Sequence, residues 1–404
     1  MSRQRAETLD AADPLAEYPE RFVVAPDGLI YLDGNSLGRL PRDTASRVAG
    51  VIAREWGERL IRSWSEGWME LPLAVGDRLG SELLGAAPGQ VAVADSTTVS
   101  FYKLVCAALA ARPDRREIVT DRNNFPTDRY VLESLARERG MRIRWIEADP
   151  HAGPTADQVR TVVGKDTALV TFTHVDYRSA YILDMAAVGA AAHEAGALVL
   201  WDLSHSAGAV PVALDADGAD LAVGCTYKYL NGGPGAPAYV YVRREHQGRL
   251  HQPIWGWLGR RDPFEMEQGY VPADGIAAML SGTPPILGLT AASVGIDLVI
   301  EAGIEAIREK SVALTRYAIE LIDEWLAPLG ASVGSPRADE RRGSHVALVH
   351  PEARTLSKRL IDAGVVVDFR TLDVIRLGLS PLTTRFVDVH DGLDRLRAML
   401  SGQA

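Results

Sequence analysis

An acid and a lysine carry the first indication of chemistry. Asp202 directly follows the apolar run Ala197–Leu198–Val199–Leu200–Trp201. Lys228 follows Leu221–Ala222–Val223–Gly224–Cys225–Thr226–Tyr227 and precedes the Gly-rich segment Asn231–Gly232–Gly233–Pro234–Gly235. Both apolar runs read as β-strands, so both groups stand where open α/β sheets bind ligands, beyond the carboxyl ends of strands. A lysine between a strand and a Gly-rich loop, flanked by Tyr227 and Tyr229, is an amine for a partly dry site and can form a Schiff base. Taken singly, Lys228 reads equally as a solvated charge and Asp202 as the cap of a turn. Their joint order is more telling. Pyridoxal phosphate needs a lysine for its aldehyde and a carboxylate for its ring nitrogen. It also needs a flat residue over the ring, and hydroxyls with a helix N-terminus for the phosphate. Ser96, Thr97 and Thr98, just ahead of the apolar helix ending near Ala110, supply the phosphate end. Phe125 offers a ring face, and His205 can stack on or hydrogen-bond a ligand.

Other chemistries find little support. The Gly-rich run lacks the terminal Gly-Lys-Ser/Thr of a P-loop, and no Gly-x-Gly-x-x-Gly follows a first strand. His-Glu-x-x-His is absent, and Cys106 and Cys225 stand far outside metal-ligand spacing. No metal is expected.

The elements that position these residues follow from the apolar pattern. Leu29–Leu32 is a short strand, with helices expected from Asp43 or Thr44 to about Arg59 and over Leu73–Leu84. From Gln90 the rhythm is strand then helix, with strands at Val91–Ala94, Glu117–Thr120, Met141–Ile146, Ala168–Thr173, Ala197–Trp201, Leu221–Cys225 and Pro237–Val242. Near-continuous apolar strands alternating with helices predict an α/β fold, a mostly parallel sheet covered on both faces. Beyond Gly288 comes long helical material over Ala291–Glu324, then short strands, which reads as a smaller α+β domain. The expected division is an N-terminal arm and helix at 1–60, a large cofactor domain at 61–290 and a small domain at 291–404.

The 404 residues carry 43 Lys and Arg against 53 Asp and Glu, a net charge of −10. That balance disfavours general attraction to nucleic acid, which rests on neutralising phosphates. No run reaches ~18 uncharged apolar residues, so no membrane span is expected. The start of the chain has no signal-peptide pattern, and two cysteines suit a reducing cytoplasm.

The same residues resemble the bacterial type of the kynureninase family, pyridoxal-phosphate enzymes of the aspartate-aminotransferase-like fold (fold type I). The resemblance covers nearly the whole chain. It rests on Tyr31–Leu32–Asp33–Gly34–Asn35–Ser36–Leu37–Gly38, Asn123–Asn124–Phe125–Pro126–Thr127–Asp128 and Trp201–Asp202–Leu203–Ser204–His205. Its most specific segment runs from Gly224 through Lys228 to Gly235, joined by Gly256–Trp257, Pro284–Pro285 and Ile375–Arg376. Asp176 and Arg178 depart from the family's usual Asn and Lys.

The resemblance implies a seven-stranded large-domain sheet and a set of roles. Lys228 is the Schiff-base lysine, Asp202 the partner of the ring nitrogen and Phe125 the stacking residue. Asp128 and His205 stand beside the cofactor, and Ser96, Thr97, Thr98 and Tyr227 hold its phosphate. Tyr227 is also a candidate proton relay, and Arg376 is the clamp for the substrate carboxylate. Trp257 and Thr283 are lent to the pocket by the second subunit of a homodimer. Asn35, Ser36, Trp64 and Trp68 are further candidates for the substrate pocket. The implied reaction is hydrolysis of L-kynurenine to anthranilate and L-alanine, with 3-hydroxykynurenine a poorer substrate. A cysteine desulfurase, a selenocysteine lyase or an aminotransferase of the same fold is the alternative within pyridoxal-phosphate chemistry, and a cofactor-free binding protein is the alternative outside it.

Overall fold

The computed structural model describes residues 2–26 and 28–402. In chain order its strands are Ile30–Tyr31 (β1), Val91–Val93 (β2), Glu117–Asp121 (β3), Arg142–Ile146 (β4), Thr167–Thr173 (β5), Leu198–Asp202 (β6), Leu221–Gly224 (β7), Tyr239–Val242 (β8), Ser332–Val333 (β9), His345–Val349 (β10), Val365–Val366 (β11), Asp368–Arg370 (β12) and Val374–Gly378 (β13). The helices are Arg3–Ala11 (α1), Arg42–Gly50 (α2), Leu71–Leu83 (α3), Thr97–Ala110 (α4), Pro126–Arg139 (α5), Ala156–Val162 (α6), Met185–Glu194 (α7), Ile286–Ala302 (α8), Ile304–Leu321 (α9), Ala353–Asp362 (α10) and Phe386–Leu400 (α11).

Seven strands form one sheet in the order β2-β8-β7-β6-β5-β3-β4. It is mostly parallel; β8 alone runs against its neighbours β2 and β7. β5, β6 and β7 are buried along their whole length. That burial explains their unbroken apolar sequence, since helices cover both faces of a parallel sheet. Two apolar layers flank it. One includes Val170, Phe172 and Trp201, and the other Leu104, Leu169 and Leu200. β4, at the sheet edge, exposes Arg142. A charged edge of that kind discourages further strand pairing.

The remaining strands make a four-stranded antiparallel sheet, β12-β13-β10-β9, and a parallel pair, β1-β11. β1 therefore joins the N-terminal arm to the C-terminal part of the chain. A third apolar cluster, with Leu32, Leu314, Leu348 and Leu377, fills this smaller body.

Three differences from the sequence reading have local causes. The expected helix to Arg59 leaves α-geometry after Gly50 and continues as a π-helix over Val51–Arg59, ending where Leu60 takes a positive φ of 55°. The long helical stretch is two helices, parted where Gly303 adopts φ 79°, a conformation glycine tolerates best. α6 was not anticipated, although Thr155 and Gln158 form a capping box that announces it. No single helix among the described residues is long and apolar enough to cross a membrane.

Candidate active site

The parallel sheet delivers its polar residues to one end. Thr173 closes β5 and Asp202 closes β6, and the two are register partners. Val223 of β7 pairs with Asp202, which sets the start of the Lys228 loop beside the acid. One cavity at this end is lined by Thr97, Thr98, Phe125, Asp128, Asp202, His205 and Lys228, together with Thr127, Thr173, Tyr177 and Ser204. Seven residues singled out from the sequence thus meet in one place, although they come from four separate segments.

Each is held by its own local device. The Ser204 N–H donates to Asp202 Oδ1 at 2.8 Å, which orients the carboxylate. Asn124 accepts from Thr173 Oγ1 at 2.6 Å and from the Phe125 N–H at 2.7 Å. Its Nδ2 donates to Thr120 Oγ1 at 3.1 Å. Asn124 therefore ties the ends of β3 and β5 together and aims the turn that carries Phe125. Tyr177 packs edge-on against that ring at 5.3 Å. Lys228 is 9% exposed, and its Nζ lies 3.3 Å from His205 Nε2 and 5.8 Å from the centre of the Phe125 ring.

The lysine loop is braced from outside. The Gly38 N–H donates to the Tyr227 carbonyl at 2.8 Å, and a Cβ on Gly38 would run into the Lys228 carbonyl and Asn231. Gly295 of α8 approaches the Leu230 carbonyl in the same way. Gly38→Ala is therefore expected to displace the loop. Overpacking of this type costs about 1–3 kcal/mol, and the cofactor-bound absorbance should weaken more than the thermal midpoint falls. A variant with unchanged cofactor affinity would show that the loop tolerates the shift.

The electrostatics are those of charge held in a dry place. Burial, and then the neighbouring Asp202 carboxylate, push the Asp128 carboxyl well above its ordinary range. Its Oδ2 is buried without a hydrogen-bond partner. Burial and the Lys228 charge keep His205 well below the usual imidazole value, so it is a neutral ring. Burial also raises the Tyr227 phenol, whose ring centre is 5.9 Å from Lys228 Nζ.

These residues fit pyridoxal phosphate. The amine meets the aldehyde, and the acid pair with an unsatisfied oxygen suits a ring that carries an N–H. The Phe125 face and the start of α4 match the ring and the phosphate. Thr97 and Thr98 form the first turn of α4, where free N–H groups favour an anion. Ser96 is the N-cap of α4, accepting from the Val99 N–H at 3.4 Å, and lies outside the cavity lining.

The remaining candidates sit behind the cavity wall or in a second pocket. Arg376 is 1% exposed and does not line the Lys228 cavity. It donates to the Tyr177 carbonyl at 2.6 Å and to Ser36 Oγ at 2.9 Å, and it pairs with Asp368. Asn35 is fully buried beneath Gly378, and its amide has no partner. Trp64, Trp68 and Thr283 line a separate apolar pocket with Trp56 and Pro284. Trp257 packs edge-on against Trp64 at 5.8 Å.

Sequence reasoning missed several neighbours. His345 of β10 is fully buried with both ring nitrogens unpartnered, its ring 5.6 Å from that of His205. Nothing in its strand context signalled a site. Tyr177, part of the family-like segment Thr173–Ser179, was given no role, and Asp368 and Arg370 went unremarked. Charged residues in the short strand β12 carried a signal, since burial there demands a partner.

Comparison with known proteins agrees with this geometry. Residues 307–396 match the family model of the kynureninase C-terminal domain. The chain is 45% identical over 410 residues to a kynureninase of Burkholderia pseudomallei, covering 100% of this chain and 96% of that one. It is 44% identical over 399 residues to a kynureninase of Pseudomonas fluorescens, covering 97% and 94%. Among solved structures, a cysteine desulfurase from Thermococcus onnurineus NA1 superposes with a TM-score of 0.82 at 20% identity, over 96% of this chain and 98% of that one. A complex of the cystine C–S lyase C-DES superposes with a TM-score of 0.80 at 16% identity, over 92% and 98%. Those two share the fold, and the full-length identity decides the family: the chain belongs to the kynureninases, built on fold type I.

Proposed function

We propose that this protein hydrolyses L-kynurenine to anthranilate and L-alanine with pyridoxal phosphate as cofactor, and 3-hydroxykynurenine less efficiently. The convergence of Lys228, Asp202 and Phe125 in one buried cavity carries this reading. Lys228 would hold the cofactor's aldehyde, Asp202 its ring nitrogen and Phe125 its ring face. Thr97, Thr98 and the start of α4 would take the phosphate, with Tyr227 at its edge. Once bound, the cofactor supplies an electron sink for the pair left at the substrate α carbon.

The chain's own residues do the rest. Arg376 binds the substrate carboxylate. Lys228, free of the aldehyde once the substrate amine arrives, takes the α proton. His205, kept neutral by burial, stays near the amine without adding a second positive charge. One water adds to the γ carbonyl as the Cβ–Cγ bond breaks. Anthranilate carries away the acyl oxygen, and the β carbon of alanine takes a proton relayed by Tyr227. The desulfurase alternative needs a mobile thiol, whereas Cys106 and Cys225 are both buried.

The active unit is a homodimer. Trp56, Leu60, Ile61, Trp255, Phe264 and Leu287 are exposed apolar side chains, with Ile61 76% exposed, and Trp56 and Leu287 share one apolar pocket. Exposed patches of such side chains mark association surfaces. Trp257 and Thr283 border that pocket and would reach the partner's cavity. Ile61→Asp is expected to shift the protein toward monomer in sedimentation and to lower activity. A monomeric wild-type protein with full activity would remove the shared site. The two buried thiols suit a reducing cytoplasm.

The direct test supplies L-kynurenine to the holoenzyme, follows anthranilate fluorescence and quantifies alanine in parallel. Equal amounts of both products support the reading. Cofactor binding without cleavage would reopen the substrate.

A further inference from the structure

The arginine proposed to hold the substrate carboxylate already faces a carboxylate of its own chain. Asp368 and Arg376 are register partners across the antiparallel strands β12 and β13. Cross-strand partners project on the same face of a sheet, so the contact follows from the register itself. Asp368 Oδ2 also takes Arg370 Nη2 at 2.7 Å. The Arg376 guanidinium is thus held on three sides. Nη1 donates to the Tyr177 carbonyl, while Nη2 donates to Ser36 and pairs with Asp368.

Two of its hydrogens remain. A guanidinium carries one N–H at Nε and two at each Nη. Among the described residues Arg376 Nε has no partner, although the side chain is buried. A buried donor without a partner is costly, and a ligand that accepts from it removes the cost. Resting on the carboxylate-clamp reading of Arg376, we infer that Asp368 is a positioning residue. It fixes the guanidinium so that its unused N–H groups meet the substrate carboxylate.

The charges support this. Below about pH 6, where Asp33 is largely protonated, two arginines and Asp368 leave a single positive charge for an incoming carboxylate. Burial, followed by the charge of Arg376, lowers the proton affinity of Arg370, so the two cations repel. Asp368 between them relieves that repulsion. Asp33, the other acid nearby, is pushed up to about 6 by burial and competes little below that pH. Without Asp368 the two guanidiniums would move apart, and the clamp would lose its aim rather than its charge.

The test compares ligands with and without a carboxylate on the holoenzyme. L-Kynurenine is the substrate, L-alanine the carboxylate-bearing inhibitor, and kynuramine (the substrate amine lacking the carboxylate) the control inhibitor. Asp368→Asn is expected to raise KM for L-kynurenine and Ki for L-alanine by about 10–100-fold, the worth of a hydrogen bond to a charged group. kcat should change less than KM, and Ki for kynuramine should stay within about twofold. Asp368→Glu, which keeps the charge, should recover most of the loss. A purely structural role predicts equal losses for alanine and kynuramine, and that result, or an unmoved KM, overturns the inference. Arg376→Lys separates the premise from the inference. If it leaves the preference for alanine over kynuramine intact, the clamp reading itself is wrong. If it abolishes that preference while Asp368→Asn does not alter it, only the positioning role of Asp368 falls.

Discussion

Lys228→Ala is expected to remove essentially all turnover, a loss of at least about a thousandfold, and to abolish the long-wavelength absorbance of the lysine-bound cofactor. The size follows from two roles resting on one amine. Under the proposed function the substrate would reach the cofactor by displacing it, and the freed amine would serve as the base for the α proton. Loss of a nucleophile or of a general base usually costs orders of magnitude. No neighbour replaces it. His205 Nε2 is 3.3 Å away, but burial depresses its basicity. The measurement is a single-turnover rate at saturating pyridoxal phosphate beside an absorbance spectrum. A variant that kept both the spectrum and the rate would refute the assignment of Lys228. Added small amines should restore part of the rate if the amine acts as a base, because they can enter the space the side chain leaves.

Asp202→Ala is the second large effect. Turnover should fall by about a hundredfold or more even when the cofactor is saturating, in line with the loss of one charge-stabilising group in a dry site. Asp202 is buried and oriented by the Ser204 N–H, so its carboxyl faces a ligand site and not bulk water. Its removal has a second consequence. The Asp202 charge is one cause of the raised Asp128 proton affinity. Without it Asp128 ionises more readily and takes over part of the role. The single variant should therefore keep a residual rate that Asp202→Ala/Asp128→Ala loses. An unchanged single-turnover rate in Asp202→Ala would refute the ring-nitrogen role. A double variant no worse than the single would remove Asp128 from the account.

The two expectations differ in what they leave standing. Without Lys228 the cavity keeps its acids and its ring face, so cofactor can still bind through Asp202 and α4. Without Asp202 the amine remains and the attachment survives. Cofactor affinity against rate thus separates the two roles, where activity alone would not.

Much of this site was legible before any coordinates. Asp202 and Lys228 each end an apolar run, and an apolar run in an α/β chain is a buried parallel strand whose carboxyl end opens on the ligand side. Ser96, Thr97 and Thr98 read as a polar segment that caps the following apolar helix; α4 in fact begins at Thr97, with Ser96 as its N-cap. Phe125 sits one residue ahead of Pro126, which opens α5. In each case a local signal, strand end or helix start, coincides with the functional position.

What stayed hidden has a different origin. His345 looks like any residue of a short strand, and only the tertiary structure brings its ring to 5.6 Å from that of His205. Asp368 and Arg376 stand eight residues apart, and nothing local says that they face each other until β12 and β13 pair in register. The breaks at Gly50 and Gly303 interrupt an otherwise continuous helical pattern, because periodicity reports the buried face and not the path of the axis.

By itself, then, the sequence determined the class of fold, the family, and the lysine, acid and aromatic ring that fit the cofactor, since each is written in contiguous residues. The tertiary structure alone decided that Arg376 stands against the cavity wall at the Tyr177 carbonyl, beside an acid of its own chain, and that Trp64, Trp68 and Thr283 share a separate pocket. Those facts depend on contacts between residues distant along the chain, and such contacts are set by strand register and packing, which leave no local trace.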